Sequence, residues 1–152
     1  MDFHFVPMNA DYARTIVDNW HYEGAYRLCD YAQSESLLDP ANWDTHIFAV
    51  LDEAGTLAGE FTLWLDEGAL WLGFGLKPEL TGRGLGEDFV AAGMECGVEH
   101  FDYEGDEIWL EVAAWNERAL KVYRRLGFEE LERYSVEIRG QDYDFLKMRR
   151  EL

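Results

Sequence analysis

Apolar positions along the 152-residue chain change period several times. The stretch FHFVP, from residue 3, alternates well enough for a first strand. MNADYARTIVDNW then spaces Tyr12, Ile16 and Trp20 at helical intervals, with Asn9 or Asp11 able to cap the start. EGAYRLCDYAQSESLLDP reads as a second helix, broken near Ser34 to Ser36 and closed by Asp39-Pro40. From His46 the period shortens. HIFAVLDEAGTLAGEFTLWLDEGALWLGFGL predicts three strands divided by turns at Asp52 to Gly55 and Asp66 to Gly68, most economically an antiparallel meander. Past ELTGRGLGEDF, the residues Leu85, Phe89, Met94, Val98 and Phe101 return to near-helical spacing, so a helix begins inside the glycine-bearing loop. EIWLEV reads as a buried strand with Ile108, Leu110 and Val112 on one face and Trp109 and Glu111 on the other. NERALKVYRRLGF predicts a short helix capped by Asn116, carrying an apolar stripe of Ala119, Leu120, Tyr123 and Leu126, and closed by Gly127. Two last strands, EELERYSVEI and YDFLKMR, flank the turn RGQD.

The resulting order is strand, two helices, three strands, helix, strand, helix, two strands. It predicts one α/β domain over residues 1–152 with a mixed sheet. Ligands of such sheets sit where strands end and part.

Charge changes the picture next. Thirty-one acidic against thirteen basic residues leave a formal charge of −18, which argues against a nucleic-acid backbone binder, because such proteins present basic patches. The acidity serves solubility or salt adaptation, or it draws in a cationic substrate. No stretch approaches 18 uninterrupted apolar residues, and MDFHFVPMNAD lacks the basic region and apolar run of a signal peptide. These features predict a soluble, cytoplasmic protein without membrane attachment. Two cysteines, Cys29 and Cys96, and four scattered histidines match no metal or redox spacing, so neither a metal nor a disulfide is expected.

The candidate chemistry gathers in LTGRGLG, where Gly82, Gly84 and Gly86 occupy every second position. Glycine costs backbone entropy, so this loop must turn tightly, adopt positive φ, or lie against something. The segment is neither a Walker A loop, which needs Lys-Ser or Lys-Thr where Glu87-Asp88 stand, nor a G-x-G-x-x-G fingerprint. A helix starting there offers free N–H groups and a positive dipole end to an anion. Glu87 and Asp88 would repel a phosphate and are expected to face away from it. Ahead of the loop, Gly73 and Gly75 interrupt an apolar strand, as at a bulge or a close backbone approach.

Two of these segments resemble the GCN5-related N-acetyltransferase (GNAT) family, which moves an acetyl group from acetyl-coenzyme A to an amine. LTGRGLG is similar to the family's R/Q-x-x-G-x-G/A pyrophosphate loop, and NERALKVYRRLGF resembles its N-x-x-A-x-x-x-Y-x-x-x-G-F signature through Asn116, Ala119, Tyr123, Gly127 and Phe128. The element order agrees over the whole chain. The chain looks most like bacterial members with unassigned substrates. The resemblance implies a mixed, largely antiparallel sheet flanked by helices and an acetyl-CoA cosubstrate held by Thr81, Gly82, Arg83, Gly84, Leu85 and Gly86. Thr81 departs from the family's Arg or Gln. It also implies a splayed strand whose Phe74, Gly75 and Leu76 meet the pantetheine arm and offer an N–H to the thioester carbonyl, where it would stabilise an oxyanion. Asn116 is either a simple N-cap or, as the resemblance implies, a residue near the cofactor as well.

Within that resemblance Tyr123 takes the role of general acid to the departing thiolate, against the alternative of a packed ring on an apolar stripe. Glu111 is the candidate base for the ammonium, with Glu60, Glu23 or water as competitors. Trp20, Tyr22, Glu23 and Tyr26 are the candidate acceptor-binding residues, since aromatics with acids suit a cationic amine; they equally suit a homodimer surface or a core edge. The implied acceptor is a primary amine, on a small molecule or a protein N-terminus. The alternative is a non-catalytic acyl-CoA binding or sensing module.

Overall fold

The computed structural model describes residues 2–22, 35–43, 46–138 and 140–152, with the backbone alone at 35 and 36. Most of the expected second helix, with Glu23, Tyr26 and Cys29, lies outside the described residues. Strand β1 (His4–Pro7) leads into α1 (Ala10–Asn19), and one turn of helix, α2 (Glu35–Leu38), precedes the meander. The meander is β2 (Ile47–Leu51), β3 (Leu57–Asp66) and β4 (Ala69–Leu76). Helix α3 (Gly86–His100), β5 (Glu107–Ala113), α4 (Glu117–Arg125), β6 (Glu129–Ile138) and β7 (Gln141–Glu151) follow.

Local chemistry sets most boundaries. The Asn9 side chain accepts the Tyr12 N–H at 2.9 Å and caps α1, a contact contributing about 1 kcal/mol. Ala13, Ile16, Val17 and Trp20 then form one buried stripe at i, i+3, i+4, i+7. Asp52 accepts the N–H groups of Ala54 and Thr56, both at 2.9 Å, and closes the β2–β3 turn. Positive φ at both Glu67 (51°) and Gly68 (80°) marks a tight hairpin of the I′ kind and fixes Asp66 opposite Ala69. Asn116 caps α4 through the Ala119 N–H, and Gly127, at φ 92°, ends it.

The seven strands lie in the order β1-β2-β3-β4-β5-β7-β6. Every neighbouring pair is antiparallel except β4–β5. Against one sheet face, α3 and α4 bury Phe89, Val90, Met94, Leu120 and Tyr123 on Phe61, Leu63, Leu70, Leu72, Ile108 and Leu110. A Cβ at Gly93 would stand 2.1 Å from the Phe61 ring, so this glycine lets α3 ride close over β3. On the other face α1 closes a second core of Met8, Ala13, Ile16, Val17, Trp20, Leu37, Ile47 and Ala49.

Candidate active site

The loop joining β4 to α3 begins with a short 3₁₀ turn, Pro78–Leu80, that the sequence pattern does not reveal. Thr81 donates its hydroxyl to the Pro78 carbonyl at 2.7 Å, so its oxygen closes that turn. Gly82 and Gly84 have φ of 73° and 76°, a left-handed conformation costing roughly 1–2 kcal/mol with a β-carbon. Helix α3 then starts at Gly86, two residues beyond Gly84, because a residue at φ 76° cannot be helical. Leu85 stands at its N-cap without a side-chain hydrogen bond, so no side chain there covers the first N–H groups. Gly86 is small for a different reason: a Cβ would lie 2.9 Å from Val122 on α4. Around Gly84 nothing stands within 4 Å of an added Cβ. Glu87 is drawn to Arg125 of α4 at 3.2 Å.

At the strand end, β4 and β5 pair in parallel through Leu70↔Ile108, Trp71↔Trp109 and Leu72↔Leu110, and then part. Each continues on its far side: β4 pairs with β3 through Leu76, and β5 pairs with β7 through Ala113. The backbone of Gly73 to Leu76 thus borders a wedge-shaped gap. Tyr123 of α4 abuts the β4 side of that gap, its ring edge-on to Phe74 with centroids 5.8 Å apart. Its side chain is 7% exposed.

Paired residues share a sheet face, which places Glu60, Thr62 and Trp64 of β3 beside Gly75, Gly73 and Trp71 of β4, on the side away from α3. Glycines therefore floor a strip in front of the gap. Glu60 flanks it and is the one buried charged side chain among the described residues, at 4% exposure; the Thr62 hydroxyl donates to it at 3.4 Å. Glu111 stands on the same face across the gap, exposed, in register with Lys147 of β7. The Tyr134 hydroxyl of β6 is buried without a well-formed hydrogen bond. Burial first, and then the nearby Glu111 carboxylate, hold that phenol protonated far above its usual range. Trp64, Trp71 and Trp109 stack below the strip, with centroids 6.1 and 5.5 Å apart. Lys147 and Arg149 lie over the latter two rings, at 5.6 and 5.7 Å.

Open space beside Gly84 in a left-handed glycine loop thus lies near two parallel strands that pair and then part. The family model described as an acetyltransferase (GNAT) domain matches residues 4–129. The chain belongs to the GNAT family. Among curated proteins it is similar to a mycothiol acetyltransferase of Corynebacterium aurimucosum, 34% identical over 143 residues, covering 85% of this chain and 45% of that protein. It is also similar to one of Clavibacter sepedonicus, 36% identical over 98 residues, covering 64% of this chain and 30% of that protein. The chain thus spans less than half the length of these relatives. Among solved structures, a spermidine N-acetyltransferase from Vibrio cholerae in complex with CoA and spermine superposes with TM-score 0.72 at 18% identity, covering 98% and 95% of the two chains. A ribosomal-protein-S5-alanine acetyltransferase from Vibrio fischeri superposes with TM-score 0.68 at 15% identity, covering 99% and 93%. At such identities these two likenesses bear on the fold alone.

In this GNAT domain Thr81 to Leu85 form one loop that Gly86 ends as the first residue of α3, and Phe74, Gly75 and Leu76 border the gap, with Tyr123 packed against Phe74. Asn116 caps α4, its carbonyl oxygen 3.2 Å from the Ala119 nitrogen. Tyr22 donates its hydroxyl to the Leu76 carbonyl at 2.7 Å, tying the chain after α1 to the end of β4. Trp20, 2% exposed, belongs to the core beneath α1 and supports this side from within. Glu23 and Tyr26 fall outside the described residues. The tryptophan ladder and its two cations escape sequence reasoning, although the Trp64–Trp71 half is implied by the tight hairpin turn. Cys96 is a free thiol, pushed up to about 11 by burial and by Glu99. Among the described residues no group of His, Cys, Asp and Glu could hold a metal ion, and no helix is long and apolar enough to cross a membrane.

Proposed function

We propose that this GNAT domain is an N-acetyltransferase that moves the acetyl group of acetyl-CoA onto a cationic primary amine. The observation carrying this reading is the parting of β4 and β5 after three pairs, with Tyr123 at the gap and a left-handed glycine loop beyond it. The pyrophosphate would lie at Gly82 to Gly86, where α3 presents free N–H groups. The pantetheine would run along Phe74 to Leu76, whose backbone N–H groups would hold the thioester carbonyl and its oxyanion. The amine nitrogen attacks the carbonyl carbon from the glycine-floored side. Glu111 would first take one proton from the ammonium to free the nitrogen lone pair; a C–N bond then forms, the C–S bond breaks, the thiolate takes the Tyr123 proton, and the second proton shed by the acylated nitrogen returns through solvent to the phenolate.

The buried Glu60 carboxylate supports a cationic acceptor, since it attracts ammonium. The relatives' names denote acetyl transfer, and one structural neighbour was solved with CoA and the polyamine spermine, which agrees with an acyl-CoA and amine pair. Calorimetry with acetyl-CoA, followed by thiol release against a panel of small amines and peptide N-termini, tests the proposal. Saturable thiol release with a cationic amine is expected. Tight acetyl-CoA binding with no acceptor-dependent release would make the domain a sensor of acyl-CoA instead.

A further inference from the structure

Strand β5 loses its β4 partner after Leu72↔Leu110, so Glu111 is its first residue on the edge of the gap. On the other side Glu111 pairs with Lys147 of β7, and Lys147 in turn pairs with Glu132 of β6. The next row runs Ala113, Phe145, Tyr134 across the same three strands. Paired residues share a sheet face, and positions two apart return to it. Glu111, Lys147, Glu132, Phe145 and Tyr134 therefore all stand on the face that carries the glycine strip.

A carboxylate opposite a lysine ordinarily takes it as an ion pair. Here the Lys147 ammonium turns instead to Glu132, at 3.4 Å, and lies 5.6 Å over the Trp71 ring. Among the described residues Glu111 forms no ion pair, so its charge stays available to an incoming ammonium. The group beside it is neutral. The Tyr134 ring lies tilted against Phe145 with centroids 6.4 Å apart, and its buried hydroxyl makes no hydrogen bond of good geometry. A buried donor left in that state costs stability, and a phenylalanine would fill the same space without the cost. Packing therefore does not account for the hydroxyl. Burial and then the Glu111 carboxylate keep the phenol protonated, so it stands near that carboxylate with a proton to donate.

We infer that Tyr134 is a positioning residue for Glu111: its hydroxyl donates to the carboxylate and holds it toward the gap while it takes the proton of the acceptor ammonium. This assignment rests on the acetyl-transfer reading above, with Glu111 as base. A neutral donor suits the task, since it fixes one carboxylate oxygen without bringing a second cation to compete with the ammonium. Tyr134 touches neither cosubstrate and acts through Glu111.

The test is a double-mutant cycle on thiol release with a cationic amine at saturating acetyl-CoA, using the wild-type chain, Tyr134→Phe, Glu111→Gln and the double variant. Tm and the calorimetric Kd for acetyl-CoA are measured on each. Glu111→Gln should lower kcat by roughly 10²–10⁴. Tyr134→Phe should lower it by roughly ten- to a hundredfold, as for a slightly misplaced catalytic group. The double variant should turn over no more slowly than Glu111→Gln, because Tyr134 acts through the carboxylate. Tyr134→Phe should keep the wild-type Kd, and its Tm should not fall, because the lost hydroxyl had no well-formed bond. Wild-type kcat in Tyr134→Phe, or the same loss repeated in the Glu111→Gln background, would overturn the assignment and leave the acetyl-transfer reading intact. A lower Tm in Tyr134→Phe would make the hydroxyl a structural contact, and a weaker Kd would place it on the cofactor; either overturns the assignment. Full turnover in Glu111→Gln would remove the base, and the assignment with it. A wild-type chain without acceptor-dependent thiol release would instead overturn the acetyl-transfer reading itself.

Discussion

Tyr123→Phe separates chemistry from packing at a single atom. The substitution keeps the ring that meets Phe74 at 5.8 Å and Phe128 at 6.1 Å, and it leaves the buried stripe of α4 unchanged in volume. What it removes is one proton donor beside the gap between β4 and β5. If that donor protonates the thiolate, kcat should fall by roughly 10²–10⁴, equivalent to about 3–5 kcal/mol of barrier. Removing the hydroxyl should cost no more than about 1 kcal/mol of stability, a drop of roughly 2–4 °C in Tm for a domain of this size. Affinity for acetyl-CoA should change little, since the ring lines the gap and its hydroxyl is called upon only as the thiolate departs. Thiol release with a cationic amine, Tm and calorimetric Kd are to be measured on one preparation. Turnover within a few-fold of wild type, with the small Tm shift still present, would refute the acid role and leave Tyr123 as a packed ring.

Three further outcomes are expected. Gly84→Ala finds no steric obstacle, but at φ 76° it should cost roughly 1–2 kcal/mol locally and weaken acetyl-CoA binding, and unchanged affinity would remove this loop from the cofactor site. Glu60→Gln keeps shape and removes charge, so the KM for cationic amines should rise about tenfold while neutral acceptors change little; an equal effect on both would make Glu60 purely structural. Cys96 is raised to about 11, so at pH 8 only about one thiol in a thousand is ionised. Iodoacetamide labelling of a Cys29→Ser variant should therefore be slow at pH 8 and gain about tenfold per pH unit as the pH approaches 11, against fast labelling at pH 8 if the thiol were activated.

The sequence alone determined what depends on neighbours in the chain. Asn9 and Asn116 cap helices through N–H groups three residues away, and Gly127 ends α4, all by contacts closed within one turn. The hairpin at Glu67-Gly68 fixed the β3–β4 register, and with it the pairs Glu60↔Gly75 and Trp64↔Trp71, because a two-residue turn admits one alignment. The tight turns of the glycine loop were legible because only glycine takes the positive φ of Gly82 and Gly84 without strain. Tertiary structure decided the rest. How far β4 and β5 pair before parting, and hence that Trp109 joins Trp64 and Trp71, rests on a parallel register between strands separated by a helix. No local rule sets such a register; the packing of α3 and α4 on the sheet does. For the same reason the closeness of α4 to the start of α3, where a Cβ at Gly86 would meet Val122 at 2.9 Å, was invisible in the loop's own sequence, since it is made only when the chain is folded.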